Sequence, residues 1–420
     1  MKSIAVLLFA FLLGCVIAQA KKNTQPVNPN GSLVQVQIIS RHCDRLPSAS
    51  SKIPADPIDW QLVSGLALGD LTGLGQQQCR ELGEHLRERY LSEDASSRIS
   101  GITANYNASM FSFRSTNFDR ALNSMQTIAL GLFPDKTGDR ATVNYLAKND
   151  KGKKKWALPH GQQAVPIHTV ADDYENLLLG FTYCNTVQKR YNTAFGTKAL
   201  AYLNANRTFV NQLYTATGWT TGDLTISTLI DLLIVQKAHN MLNIKWVNDN
   251  WTQVLKMRDD VLSLLYSYDV MGKEGSSVLI QTLIENMNSL NKKYIHYSAH
   301  DSTLQALTGS LKLNQDSDYA FLGGQPNYGA HIVAELYQTA AGNKTVRFMH
   351  GNQFDSTSLT PLILKNLGCQ TEYCPLETFT QLTSQYSTTT NWCVDCANKG
   401  KVVCAPYFLS VVTPCTTSTN

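Results

Sequence analysis

Arg41, His42 and Arg45 follow directly on an apolar run that ends at Ser40. Arg114 closes a second run, Phe111 to Arg114, and His300 with Asp301 follows a third, Tyr294 to Ser298. Arginine carries a planar fork of donors that stays charged at every working pH and grips oxyanions two oxygens at a time. Three such forks aimed at one point repel unless an anion sits between them, and phosphate is the obvious anion. A histidine in that nest has its imidazolium disfavoured by positive neighbours. Its pKa falls, and it stays a neutral nucleophile even in acid. A carboxyl on the opposite side, that of Asp301, can donate a proton to a leaving oxygen. The residue types point to phosphoryl transfer.

Those residues need a scaffold that brings strand ends together. Val34, Val36 and Ile38 alternate with Gln35 and Gln37 before the run turns fully apolar at Ile39, which predicts a strand that becomes buried on both faces. A helix is expected from about Gly75 to Leu91, with Cys79, Leu82, Leu86 and Tyr90 on one face. Phe111 to Arg114 reads as a strand, and Leu122, Met125, Ala129 and Leu132 as a helix face. Tyr294 to Ser298, followed by Leu304, Leu307 and Leu311, repeats the strand-then-helix order. Such units predict an α/β fold with a central, mostly parallel sheet flanked by helices, in which ligands collect at the carboxyl ends of the strands. From about Asp172 to Met271 the pattern is helical, as in Ile226, Leu229, Leu233 and Val254, Val261, Leu265. The expected organisation is an α/β domain over 33–171 and 272–420, interrupted by a helical cap over 172–271. The basic run Lys148 to Lys155 reads as a solvated loop.

Composition excludes other classes. The chain has 420 residues, 43% of them hydrophobic, and a formal charge of only +4. So small and scattered a charge excludes a nucleic-acid binder that lives on phosphate neutralisation. Residues 1–20 have a basic start, an apolar core and Ala18-Gln19-Ala20 before Lys21, the pattern of a secretory signal peptide. No later run has the length of a membrane span. Ten cysteines become nine once Cys15 leaves with the signal, and six crowd together as Cys369, Cys374, Cys393, Cys396, Cys404 and Cys415. Without paired Cys-x-x-Cys motifs they read as disulfides rather than a zinc site, stapling a C-terminal segment. Sequons at Asn30, Asn107, Asn206, Asn250 and Asn343 fit a glycoprotein. His296 and His300 are four apart, but in a strand that separation is about 13 Å, too far for a shared metal. No metal and no cofactor are expected, and His168 is expected to pack beneath the sheet edge.

The residues also carry a resemblance. "ISRHCDRLP" at 39–47 resembles the R-H-G-x-R-x-P signature of histidine acid phosphatases, "FRSTNFDRALNSM" at 113–125 their second block, and "HYSAHDSTLQAL" at 296–307 their histidine-aspartate block. "DLTGLGQQQCRELGEHLRERY" at 70–90, "PIHTV" at 166–170 and "GCQTEYCPLETF" at 368–379 extend it, the last towards animal prostatic and lysosomal acid phosphatases. The likeness runs in order from about residue 33 to 396. It implies the histidine-phosphatase fold with a helical cap. It implies His42 as a nucleophile forming a phosphohistidine, Arg41, Arg45, Arg114 and His300 as phosphate ligands, and Asp301 as general acid and then base. It further implies that Cys184 pairs with Cys393 or Cys396, and that the protein is a homodimer in the secretory pathway, secreted or lysosomal. Substrates would be small-molecule or phosphopeptide phosphomonoesters.

Two features bear on the choice of activity. Ser302-Thr303 after His300-Asp301 is nearer the Thr-Thr of animal acid phosphatases than the Thr-Asn of phytases, so an inositol-phosphate phosphatase ranks second. Cys43 stands where the family has glycine. Between His42 and Asp44, with Arg41 and Arg45 near, it is expected to be the odd free thiol, its pKa lowered towards neutrality. It is also the only hint of a third reading, a secreted pseudophosphatase that keeps the pocket as an anion-binding module.

Overall fold

The computed structural model describes residues 30–95, 97–139, 156–386, 389–398 and 404. The signal segment, the Lys148 to Lys155 run and Cys415 lie outside the described residues. Strand β1 (Ser32–Arg41) is central to the sheet, with Val36, Ile38 and Ile39 fully buried. Its glutamine face is buried too, because the amides find partners. Gln35 donates to the carbonyls of Asn286 and Lys292 at 2.9 and 2.8 Å, and Gln37 to that of Leu283 at 2.8 Å. Alternation with glutamine therefore marks a second packed face here, not a wet one.

After β1 come helix α1 (Gly73–Tyr90), strand β2 (Phe111–Ser115) and helix α2 (Asp119–Leu132). The two helices cross so closely that a Cβ on Gly83 would lie 2.1 Å from the Ile128 carbonyl oxygen. Among the described residues, 172–271 carry only helices, the longest being α3 (Ile226–Ala238) and α4 (Trp251–Leu265). This stretch has its own apolar cluster, which includes Leu203, Leu213, Leu229, Leu233 and Val254. Helix α5 (Ser277–Ser289), strand β3 (Tyr294–Ala299) and helix α6 (Asp301–Ser310) return to the sheet. Strands β4 (His331–Gln338), β5 (Lys344–Gly351), β6 (Thr360–Leu362) and β7 (Cys374–Pro375) complete it.

The strand order is β2-β3-β1-β4-β5-β6, with β7 also on β5. The fold is α/β, as expected, and the sheet is mixed. Its parallel part is confined to β2, β3 and β1, while β4 to β7 add antiparallel pairs. The reason is local: β4 and β5 are joined by a short turn over 339–343, which can link only antiparallel neighbours. Ile39, Tyr297 and Ile332 pack on one face with α5 and α6, and Ile38, Phe113 and Val333 on the other with α1 and α2. No helix among the described residues is long and apolar enough to cross a membrane.

Among the described residues, four disulfides join Cys43 to Cys79, Cys184 to Cys396, Cys369 to Cys374 and Cys393 to Cys404. Cys184 thus takes Cys396, while Cys393 closes a local loop with Cys404. The Cys43 expectation is overturned. Helix α1 packs with its buried Cys79 facing the residue after His42, their Cα atoms 5.8 Å apart, and the thiol is consumed in a bridge. The backbone at Cys43 has no positive φ, so the position has no need of glycine.

Candidate active site

Strand register assembles the site. Parallel pairing sets Arg41 opposite Ala299 and Ser115 opposite Ser298, so the next residues, His42, Thr116 and His300, emerge along one edge. The His42 amide donates to the Ala299 carbonyl at 3.0 Å, and the Thr116 amide to that of Ser298 at 3.2 Å. Helix α6 begins at Asp301 with His300 as its N-cap, which brings the positive end of its dipole to the same edge.

His42 is buried, and its Nδ1 lies 2.8 Å from the Cys43 carbonyl oxygen. A carbonyl only accepts, so Nδ1 carries the proton and Nε2 keeps a lone pair. Burial, then Arg41, Arg120, His300 and Arg45, hold its pKa well below the ordinary value. His300 lies beside it, the ring centroids 5.5 Å apart. Its Nδ1 is 3.5 Å from an Arg120 nitrogen that can only donate, so Nε2 is the protonated nitrogen and donates to Thr116 Oγ1 at 3.0 Å. Burial and Arg120 push its pKa down to about 3. Both imidazoles are neutral in mild acid.

Arg41 lies 3.1 Å from Asp301 Oδ2, and its guanidinium sits 4.4 Å above the Tyr328 ring. Arg45 donates to both carboxylate oxygens of Asp231 in α3, at 3.2 and 3.0 Å. Asp301 also accepts from Gln325 at 2.6 Å and from the Ser302 amide at 2.8 Å. Burial opposes its charge, but Arg41, the Gln325 hydrogen bond and Arg45 hold it well below the usual carboxylate range.

The third arginine at this edge is Arg120, which the sequence reading missed, and not Arg114. Arg114 lies within β2 and turns aside to Glu175, 2.5 Å away. Arg120 is the second residue of α2, its guanidinium 4.7 Å from the Phe118 ring centroid and beside His300. Burial and the repulsion of Arg45 and Arg41 lower its pKa to about 10, so it remains charged. Within the described residues the Nε atoms of Arg41, Arg45 and Arg120 are all buried with no hydrogen-bond partner. Three cations converge with donors to spare, which is a site for an oxyanion.

The loop that carries His42 is fixed from behind. Gly75, at the start of α1, would set a Cβ 2.1 Å from the Asp44 carbonyl oxygen, so only glycine allows this approach. Asp44 itself is buried, accepts from Thr72, and pairs with His239 at the end of α3 at 2.9 Å. Asp44 raises the His239 pKa, so the stability from this pair is full below the unfolded value and fades as pH rises through the folded one. His239→Gln should therefore lower Tm more at pH 5 than at pH 8, by about 1–2 °C for a partly exposed pair. Equal loss at both pH values would contradict the pairing.

Other expected positions resolve differently. His168 does not pack beneath the sheet: its side chain is exposed, and only its backbone adds a bridge beside Arg114. His296 is buried in β3 and hydrogen-bonded to Ser40 at 2.9 Å, away from any metal grouping. Among the described residues no cluster of three or more His, Cys, Asp or Glu could hold a metal ion. Asn107, Asn206 and Asn343 are exposed, and Asn30 and Asn250 half-buried.

Residues 32–350 match the family model of the histidine phosphatase superfamily, branch 2. The chain is 29% identical to rat (Rattus norvegicus) prostatic acid phosphatase over 364 residues, covering 83% of this chain and 84% of the relative. Against human (Homo sapiens) lysosomal acid phosphatase it is 30% identical over 371 residues, covering 84% and 77%. Among solved structures, the apo form of Hafnia alvei phytase superposes with a TM-score of 0.62 at 16% identity, covering 88% of this chain and 99% of that one. That likeness is one of fold.

Proposed function

We propose, from the premise that this chain belongs to branch 2 of the histidine phosphatase superfamily, that it is an exported acid phosphatase working through a phosphohistidine on His42. One observation carries the reading. The His42 Nδ1–H is tied to the Cys43 carbonyl while Arg41, Arg45, Arg120 and burial keep the ring neutral, so the Nε2 lone pair is available in acid. Nε2 attacks phosphorus, the ester P–O bond breaks, and the leaving oxygen takes a proton from Asp301. Water then attacks the phosphohistidine, with the Asp301 carboxylate accepting its proton. Arg41, Arg45 and Arg120 hold the phosphoryl oxygens, and His300 lies beside them, against Arg120. Residues 172–271 form the cap over this edge, and the signal segment with four disulfides supports export, to the cell exterior or the lysosome. The pseudophosphatase reading loses its motive, because Cys43 is bridged to Cys79.

Asp301 is ionised before substrate binds, so its proton must arrive with the ester. A phosphomonoester loses its second proton near pH 6, and the monoanion can pass that proton to Asp301 as its oxygens take over Arg41. Turnover of an alkyl phosphate, whose leaving group needs that proton, should then fall as pH rises above about 6. It should be unaffected by EDTA, and a loss restored by zinc would refute the mechanism. Asp301→Ala should slow alkyl phosphates about 10²–10⁴-fold while sparing p-nitrophenyl phosphate, whose leaving group needs little proton assistance. Equal slowing of both would remove Asp301 as the acid.

A further inference from the structure

The segment 325–330, which leads into β4, is wrapped around the residues of the proposed site. Gln325 donates to Asp301 at 2.6 Å, and the Pro326 carbonyl accepts from the Arg41 guanidinium. The Ala330 carbonyl accepts from the Arg41 amide at 2.8 Å, and the Gly329 amide donates to the His42 carbonyl at 3.4 Å. Tyr328 stands in the middle of this segment. The Arg41 guanidinium sits 4.4 Å above its ring, and the His42 ring centroid lies 6.1 Å away.

This packing accounts for the ring but not for the oxygen. Tyr328 as a residue is half-buried, yet its hydroxyl is buried and has no hydrogen-bond partner within the described residues. Burial pushes its pKa up to about 12 against the pull of Arg41 and Arg45, so it keeps its proton. A buried hydroxyl that gives its proton to nothing weakens the folded protein. The arginines beside it cannot help, because a guanidinium donates and never accepts. An oxyanion held by those arginines would bring the missing acceptor.

We propose that the Tyr328 hydroxyl is a fourth donor of the anion site, binding a phosphoryl oxygen beside Arg41 and Arg45. The inference rests on the phosphatase reading and adds to it a residue that touches the transferred group. The hydroxyl is unpaired in the free protein and paired in the anion complex. Its removal therefore acts in opposite directions on stability and on binding.

Tyr328→Phe keeps the ring under Arg41 and deletes one oxygen. Thermal denaturation of the full-length protein, with and without vanadate, is measured beside steady-state hydrolysis of p-nitrophenyl phosphate. Without vanadate, the Tm of Tyr328→Phe should match the wild type or exceed it by about 1–3 °C. The Kd for vanadate should rise about 10–100-fold, because a hydrogen bond to a charged group is lost. The kcat/KM should fall by a similar factor, with the pH profile unmoved. Vanadate affinity within about twofold of the wild type overturns the proposal. So does a lower Tm without vanadate, which would assign the hydroxyl to Asp44 Oδ1, itself buried and unpaired. If Tyr328→Phe weakens vanadate binding while even the wild type hydrolyses no ester, the donor stands and the phosphatase reading alone falls. If the wild type turns over and Tyr328→Phe equals it, that reading stands and the donor falls.

Discussion

His42→Ala should lower kcat on p-nitrophenyl phosphate by at least about 10⁴-fold while leaving vanadate or phosphate affinity within about tenfold. The two effects separate because different groups supply them. The attacking lone pair belongs to one atom, Nε2 of a ring held neutral by burial and by Arg41, Arg120 and Arg45. The anion is held by the arginines themselves, and none of these needs the His42 ring for support. Arg41 leans on Tyr328, Arg45 on Asp231 and Arg120 on Phe118. Alkaline quench during turnover should trap a base-stable, acid-labile phosphoryl group on the wild type and none on His42→Ala. A variant that kept its rate, or a label found on another residue, would move the nucleophile elsewhere.

Arg120→Ala and Arg114→Ala should part company although both residues sit in one short sequence block. Arg120→Ala should reduce kcat/KM about 10²–10³-fold, the usual cost of removing one preorganised donor from a developing oxyanion. It should also raise the pKa of His300, for which Arg120 is the largest charge influence after burial. Arg114→Ala should leave kcat/KM within about threefold, because Arg114 is spent on Glu175. Its effect falls on stability. Glu175 is buried, and stripping a buried carboxylate of its partner costs about 3 kcal/mol or more. Thermal denaturation and steady-state kinetics of the two variants, measured together, decide the assignment. The reverse pattern would restore Arg114 to the site.

Much of this architecture was legible in the residues, and the misses have physical causes. Strand ends carrying His42 and His300 could be read because apolar runs stop abruptly at charged residues, and parallel register does the rest. Arg114 was misassigned because it stands in the strand, where successive side chains point to opposite faces. Phe113 and Ser115 take the buried positions, and Arg114 is left to lean towards Glu175. Arg120 escaped notice because it reaches the edge only through the start of α2, a placement that depends on how the chain turns after Ser115. The signal was there: a second arginine in the same block, one residue into a helix whose N-terminus faces the strand ends. Cys43 misled because a thiol beside two arginines looks reactive, while its partner lies 36 residues away on a helix. Asp231 and the pocket it borders could not be foreseen, since the packing of α3 against the loop after β1 is tertiary and leaves no local pattern.

Since the edge residues are brought together by pairing register, heredity has less room here than the residue list suggests. Loss of one residue inside β1 would turn every following side chain to the other face, so Arg41 and His42 would survive in the gene yet be lost to the pocket. Loss of two would restore the facing but draw His42 back by about 7 Å, beyond reach of His300 and Asp301. The length of β1, counted from Val36 opposite Tyr294 to Arg41 opposite Ala299, is therefore as fixed as His42 itself. The exposed turn at 340–343, between β4 and β5, bears no such constraint. Insertions and deletions among descendants of this gene should collect there and spare the three parallel strands.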